Sequence, residues 1–170
     1  GPLARAYYFF TAGLSRGERK KREALFGKLS EGFRPVRPYW WNLAGEQPVA
    51  SKPTPPVAAE ERLLEIPVTT MPWLKLPIHV SYLLYLASYS RRLARAYFAM
   101  AMTLCRASGV GPSLLLHPLD FLGCDDDADL AFFPAMNLPA AQKINFVTAV
   151  LESYGRRFEV MPMLEHAQRI

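Results

Sequence analysis

Apolar residues recur at helical spacing in two adjacent stretches, 81–89 and 91–108, and Gly109 stops the second. A third such stretch, 138–154, has Asn137 as its expected cap, Pro139 in its first turn and Gly155 at its end. Shorter apolar runs have the character of strands. Leu63–Thr70 is β-type and bends or ends at Pro67. Ser113–His117 lies between turn residues and is closed by Pro118, which predicts a buried strand. Phe158–Met161 predicts another strand, and 163–170 a terminal helix. The closing order of strand, helix, strand, helix is the pattern of a parallel α/β sheet. It predicts that Ser113–His117 pairs in parallel with Phe158–Met161 through a crossover helix.

The N-terminal third is patterned differently. Residues 3–12 read as a short aromatic helix, and Ser15 is placed to cap a helix over 16–30. The prolines of Arg34–Trp41 make that stretch extended chain. Residues 47–57 hold four prolines and read as an exposed loop. The expectation is a single domain over 1–170, with a helical lead-in, 1–32, before the α/β segments of 33–170. A chain of 170 residues, 51% hydrophobic and 21% charged, can bury a core of its own.

Charge alters this picture in one place. The net charge is +5, and much of the excess sits in Arg16–Arg22. That run is either the solvated face of a helix or a contact for an anionic surface such as a membrane. No aromatic platform interleaves it, so a nucleic-acid partner is not expected. Tyr82–Cys105 is apolar enough to suggest a membrane span, but Arg91, Arg92 and Arg95 interrupt it, and two packed amphipathic helices are expected instead. The start lacks both an initiator Met and the basic-then-apolar order of a signal peptide, so the chain reads as a fragment, a processed product or a trimmed stretch. Cys105 and Cys124 have no metal-type spacing.

Candidate chemistry centres on His117, at the carboxyl end of a predicted strand, where α/β folds place reactive groups. A histidine there is either a general acid or base or a ring that bonds the backbone of a tight turn. Asp120 either orients it or caps the turn. Arg37, beside Tyr39 and Trp40, is a stacking cation or a substrate-facing group. Glu65 is a solvent-face residue or a cleft carboxylate. His79 reads as structural, His166 as solvent-facing. Asp125, Asp126, Asp127 and Asp129 lack the Gly and Glu of a calcium loop and read as a solvated turn.

The segment Leu114-Leu115-Leu116-His117-Pro118-Leu119-Asp120-Phe121-Leu122-Gly123 resembles the last motif of the NodB-type polysaccharide deacetylases, a Leu-His pair at a strand end. Arg37-Pro38-Tyr39, Leu63–Val68 and Pro77-Ile78-His79 resemble upstream segments of a branch of that family, and Leu138–Tyr154 followed by Phe158–Ala167 resembles its closing elements. The likeness covers residues 34–168 and lies in the order of segments more than in any single motif. It implies the C-terminal portion of a distorted (β/α)7 barrel with extra helices, and metal-dependent hydrolysis of N-acetyl groups on a glycan or lipid-linked sugar. By motif match His117 protonates the leaving amine and Leu116 helps form the acetyl pocket. Asp120, Arg37 and Tyr39 complete the candidate substrate-binding set.

The family's divalent, zinc-like metal is held by an Asp and a His-x-x-x-His pair. Here the histidines stand at 79, 117 and 166, and the first Asp is Asp120. The expectation is therefore that this chain alone binds no metal and is inactive, the metal residues lying upstream of Gly1 or lost. The rival expectation is a non-catalytic binding or membrane-surface module. A third, a metal-free hydrolase or transferase, lacks both a nucleophile elbow and a phosphate loop.

Overall fold

A computed structural model describes residues 34–42, 47–49, 62–131, 133 and 135–170. The expected helices at 3–12 and 16–30, and the basic run at 16–22, lie outside the described residues. The protein is mixed α/β. Its sheet has three short strands, β1 (Tyr39–Asn42), β2 (Gln47–Val49) and β3 (Arg62–Glu65), in the order β2-β1-β3. Both pairings are antiparallel, with Trp40 opposite Val49 on one side and Leu64 on the other. β3 stops at Glu65, two residues before Pro67, whose ring cannot donate to a ladder. β2 occupies the start of the proline-rich stretch expected to be loop.

Among the described residues four helices follow: α1 (Val80–Tyr89), α2 (Arg91–Ala107), α3 (Ala140–Gly155) and α4 (Met163–Gln168). Ser90, extended at φ −157° and ψ 113°, separates α1 from α2, and its hydroxyl accepts the Leu93 N–H to cap the second helix. Gly109, at φ +62°, turns the chain out of α2 in the left-handed region that favours glycine. α3 does not use Asn137 as its cap. The Asp125 carboxylate accepts the Ala140 N–H at 2.7 Å, so the cap comes from a turn fifteen residues upstream.

Leu83, Leu84, Phe98, Met102, Phe146 and Val147 join α1, α2 and α3 in one core. Each such side chain contributes about 1.5–3 kcal/mol by leaving water. Arg91, Arg92, Arg95 and Arg106 fall on the outer face of α2, and among the described residues no helix is long and apolar enough to cross a membrane.

The two expected C-terminal strands are corrected. Ser113–His117 joins no sheet, with His117 itself extended, and Phe158–Met161 follows the turn that ends α3. They do not pair in parallel, and among the described residues the sheet is antiparallel and no barrel forms. An apolar cleft of about 580 Å³ lies between the two segments instead, lined by Leu114, Leu116, Tyr154, Phe158, Met161 and His166 among others. The apolar run suggests a buried strand, but pairing needs partners, and Ser113 N, Ser113 O and Leu115 O are already committed. Thr69 N donates to Ser113 O at 3.0 Å, Ser113 N to Thr69 Oγ1 at 2.7 Å, and Val80 N to Leu115 O at 3.1 Å. The last bond satisfies an N–H that the first turn of α1 leaves without a helical partner. It also pins the segment carrying His117 against the start of that helix.

Candidate active site

His117 precedes a 3-10 turn, Pro118–Asp120, which folds back so that the Asp120 carboxylate accepts the His117 N–H at 2.7 Å. Proline suits the first position of such a turn because its φ is preset and its missing N–H has no partner to lose. Asp120 is 2% exposed, whereas the His117 side chain is 47% exposed.

Between them stands Ser81, from the first turn of α1. Its hydroxyl donates to Asp120 Oδ1 at 2.6 Å and lies 2.9 Å from His117 Nδ1. A hydroxyl has one proton, and an ionised carboxylate only accepts. The Ser81 proton is therefore given to Asp120, and Ser81 Oγ accepts from Nδ1–H of His117. This fixes the neutral ring in one tautomer, with Nε2 bare and available to an incoming group. The direct Nδ1–Asp120 Oδ2 separation of 3.8 Å is too long for a hydrogen bond, so the carboxylate acts on the ring through Ser81.

His79 faces the same place. Its ring lies edge-on to that of His117 at 6.4 Å, and its Nδ1 accepts the Tyr82 N–H at 3.3 Å, which caps α1. Burial, and next the neighbouring His117, push its pKa below 6.5, while Asp120 pulls the other way. Lys143 of α3 reaches the turn from behind. It is 1% exposed, and its Nζ donates to Leu119 O at 2.6 Å and touches Met136 Sδ at 3.3 Å. Burial lowers its pKa, and the Asp120 carboxylate opposes that fall most among its neighbours.

His117 and Asp120 are thus brought together, with Asp120 both capping the turn and orienting the ring through Ser81. Leu116 packs against the core and lines the apolar cleft between Ser113–His117 and Phe158–Met161. Arg37 and Tyr39 belong to other neighbourhoods. Arg37 donates to the Ser108 carbonyl at the end of α2. Tyr39 is 2% exposed, and burial, then Glu65, push its phenol up to about 12. The cation stacked on an aromatic ring is Arg34, 4.7 Å over Trp41, rather than Arg37. Glu65 accepts the Trp41 indole N–H. His166 is half-buried beside the cleft rather than solvent-facing.

The aspartates build turns: besides the Asp125 cap, Asp126 accepts from Gly123 N and Asp127 from Asp129 N. Cys105 is buried, which pushes its thiol up to about 11, and Cys124 is exposed. Among the described residues no group of three or more His, Cys, Asp or Glu side chains converges to hold a metal ion. The divalent metal that the deacetylase resemblance implies does not fit them.

Comparison with protein-family models, with curated proteins and with solved structures finds no match for this chain.

Sequence reasoning missed Ser81 and Lys143. Nothing in the sequence marks Ser81, which α1 alone carries to the imidazole. Lys143 did leave a signal: it occupies the apolar stripe of Phe146, Val147 and Val150, where a lysine is out of place.

Proposed function

We propose that this chain is the C-terminal portion of a polysaccharide deacetylase, an amide hydrolase that removes acetyl groups from an N-acetylated glycan or lipid-linked sugar. Under this reading its segments belong to a distorted (β/α)7 barrel, and His117 is the proton donor. The observation that carries it is the bridge from Asp120 through Ser81 to His117, which holds Nδ1–H inward and leaves Nε2 of a half-exposed ring open. When protonated, Nε2 gives its proton to the sugar nitrogen as the C–N bond of the acetamide breaks, so that the amine departs neutral. Ser81 and Asp120 stabilise the imidazolium and set the direction of its Nε2–H.

The test is acetate release from N-acetylglucosamine oligomers by the gene product that contains this chain, supplied with a divalent metal. His117→Ala should cut kcat by roughly 10²–10⁴ with little change in KM. A His117→Ala protein that stays folded and keeps its rate removes His117 from the mechanism. The rival reading, a non-catalytic binding module, draws on the apolar cleft beside Leu116. It forecasts glycan binding with no acetate release in either protein.

A further inference from the structure

A lysine that is 1% exposed is costly unless its charge does something, and the proton-delivery scheme leaves Lys143 unused. Its ammonium bonds the carbonyl of Leu119, the residue just before Asp120 in the turn. We propose that Lys143 is a positioning residue for His117, its buried ammonium holding the Leu119 carbonyl so that the neighbouring Asp120 keeps the orientation that takes the Ser81 proton. The proposal rests on the reading of His117 as the proton donor.

The chain of contacts runs from α3 to the open ring nitrogen. Lys143 Nζ fixes Leu119 O at 2.6 Å. Asp120 Oδ1 takes the Ser81 hydroxyl at 2.6 Å and Oδ2 the His117 N–H at 2.7 Å. Ser81 Oγ then receives Nδ1–H at 2.9 Å. Met136 Sδ, a weak acceptor, occupies a further side of the ammonium. The other ionisable groups acting on Lys143 are Asp126 and Cys124. Asp120 is the buried anion of the set, and a buried carboxylate is stable only with its hydrogen bonds and an opposing charge in place. Removing the ammonium frees the Leu119 carbonyl and takes a positive charge from the surroundings of Asp120. The turn loses its single geometry, and with it the ring loses its single tautomer.

The experiment compares Lys143→Met, which keeps the length, with Lys143→Gln and Lys143→Arg. Val150→Ala, a buried position on the same helix, is the control for lost packing. The first readout is the tautomer of His117, followed by ¹⁵N chemical shifts in the folded chain, and needs no activity. Lys143→Met and Lys143→Gln should lose the pure Nδ1–H form, while Lys143→Arg and Val150→Ala keep it. The second readout is deacetylation by the intact enzyme. The kcat of Lys143→Met should fall about ten- to a hundredfold with KM nearly unchanged, as expected when a catalytic group is misplaced. In the unaltered chain the Lys143 ammonium should give a slowly exchanging signal at pH 7, a test that no folding defect can spoil. A neutral Lys143 at pH 7, or a Lys143→Met protein that keeps the pure Nδ1–H tautomer, overturns the proposal. A wild-type enzyme without deacetylase activity overturns the functional reading instead, and the tautomer still decides the role of Lys143.

Discussion

Asp120→Asn separates orientation from stability at the candidate site. In the native arrangement Asp120 accepts two hydrogen bonds, from His117 N at 2.7 Å and Ser81 Oγ at 2.6 Å. Asparagine offers one oxygen and one NH₂. The backbone N–H of His117 cannot turn away, so the amide oxygen faces it and the NH₂ faces Ser81. The Ser81 hydroxyl then accepts from that NH₂ and donates its own proton to Nδ1 of His117. The imidazole proton moves to Nε2, and the neutral ring presents the wrong nitrogen. The His117 N–H bond is kept and the two Ser81 bonds survive in reversed sense, so the stability loss should be small, about 0.5–1.5 kcal/mol. Asp120→Ala leaves two donors without their partner. Unsatisfied buried donors cost about 1–3 kcal/mol each, and the half-exposed ring lets water relieve part of that. About 3 kcal/mol is expected, a Tm fall of roughly 6–12 °C for a chain of this size. Urea unfolding at pH 7 gives both stabilities, and ¹⁵N shifts of the His117 ring give the tautomer. An Asp120→Asn protein that retains Nδ1–H, or an Asp120→Ala protein within about 0.5 kcal/mol of wild type, refutes the network as drawn.

Three further outcomes follow from other parts of the fold. Since burial holds His79 below its ordinary value of 6.5, the native state takes up this proton less readily than the unfolded chain. Stability should therefore fall as pH drops from about 6.5 through the lowered value, and His79→Asn, which keeps a capping acceptor, should flatten urea midpoints measured across that window. Gly123→Ala should destabilise by about 1–3 kcal/mol, because its Cβ would sit 2.1 Å from Ala140 N, whereas Gly111→Ala meets nothing within 4 Å and should change the midpoint by under about 0.5 kcal/mol. Phe98→Ala, at a core position 2% exposed, should cost about 3–5 kcal/mol by thermal or urea unfolding, and a smaller loss would mean that α2 does not pack against α1 and α3 through this ring.

The helices were legible in the chain because each carries its own evidence. Apolar spacing and a stopping glycine placed α1 and α2 to within a residue or two, and the arginines of α2 announced its outer face. His117 was legible as a candidate from its place at the end of an apolar run, and Asp120 from its spacing in the turn. Strand pairing was not legible. The residues of Ser113–His117 and Phe158–Met161 specify extended backbone equally well whether they form a ladder or border a cleft, and the choice rests on where Thr69 and Val80 direct their N–H groups. Nor did the sequence place Arg37 and Tyr39, whose neighbours are set by the helix end and the sheet they meet. What only the tertiary structure decided is the tautomer of the imidazole. It depends on the single proton of Ser81, thirty-six residues away along the chain, and on a buried carboxylate that determines where that proton goes.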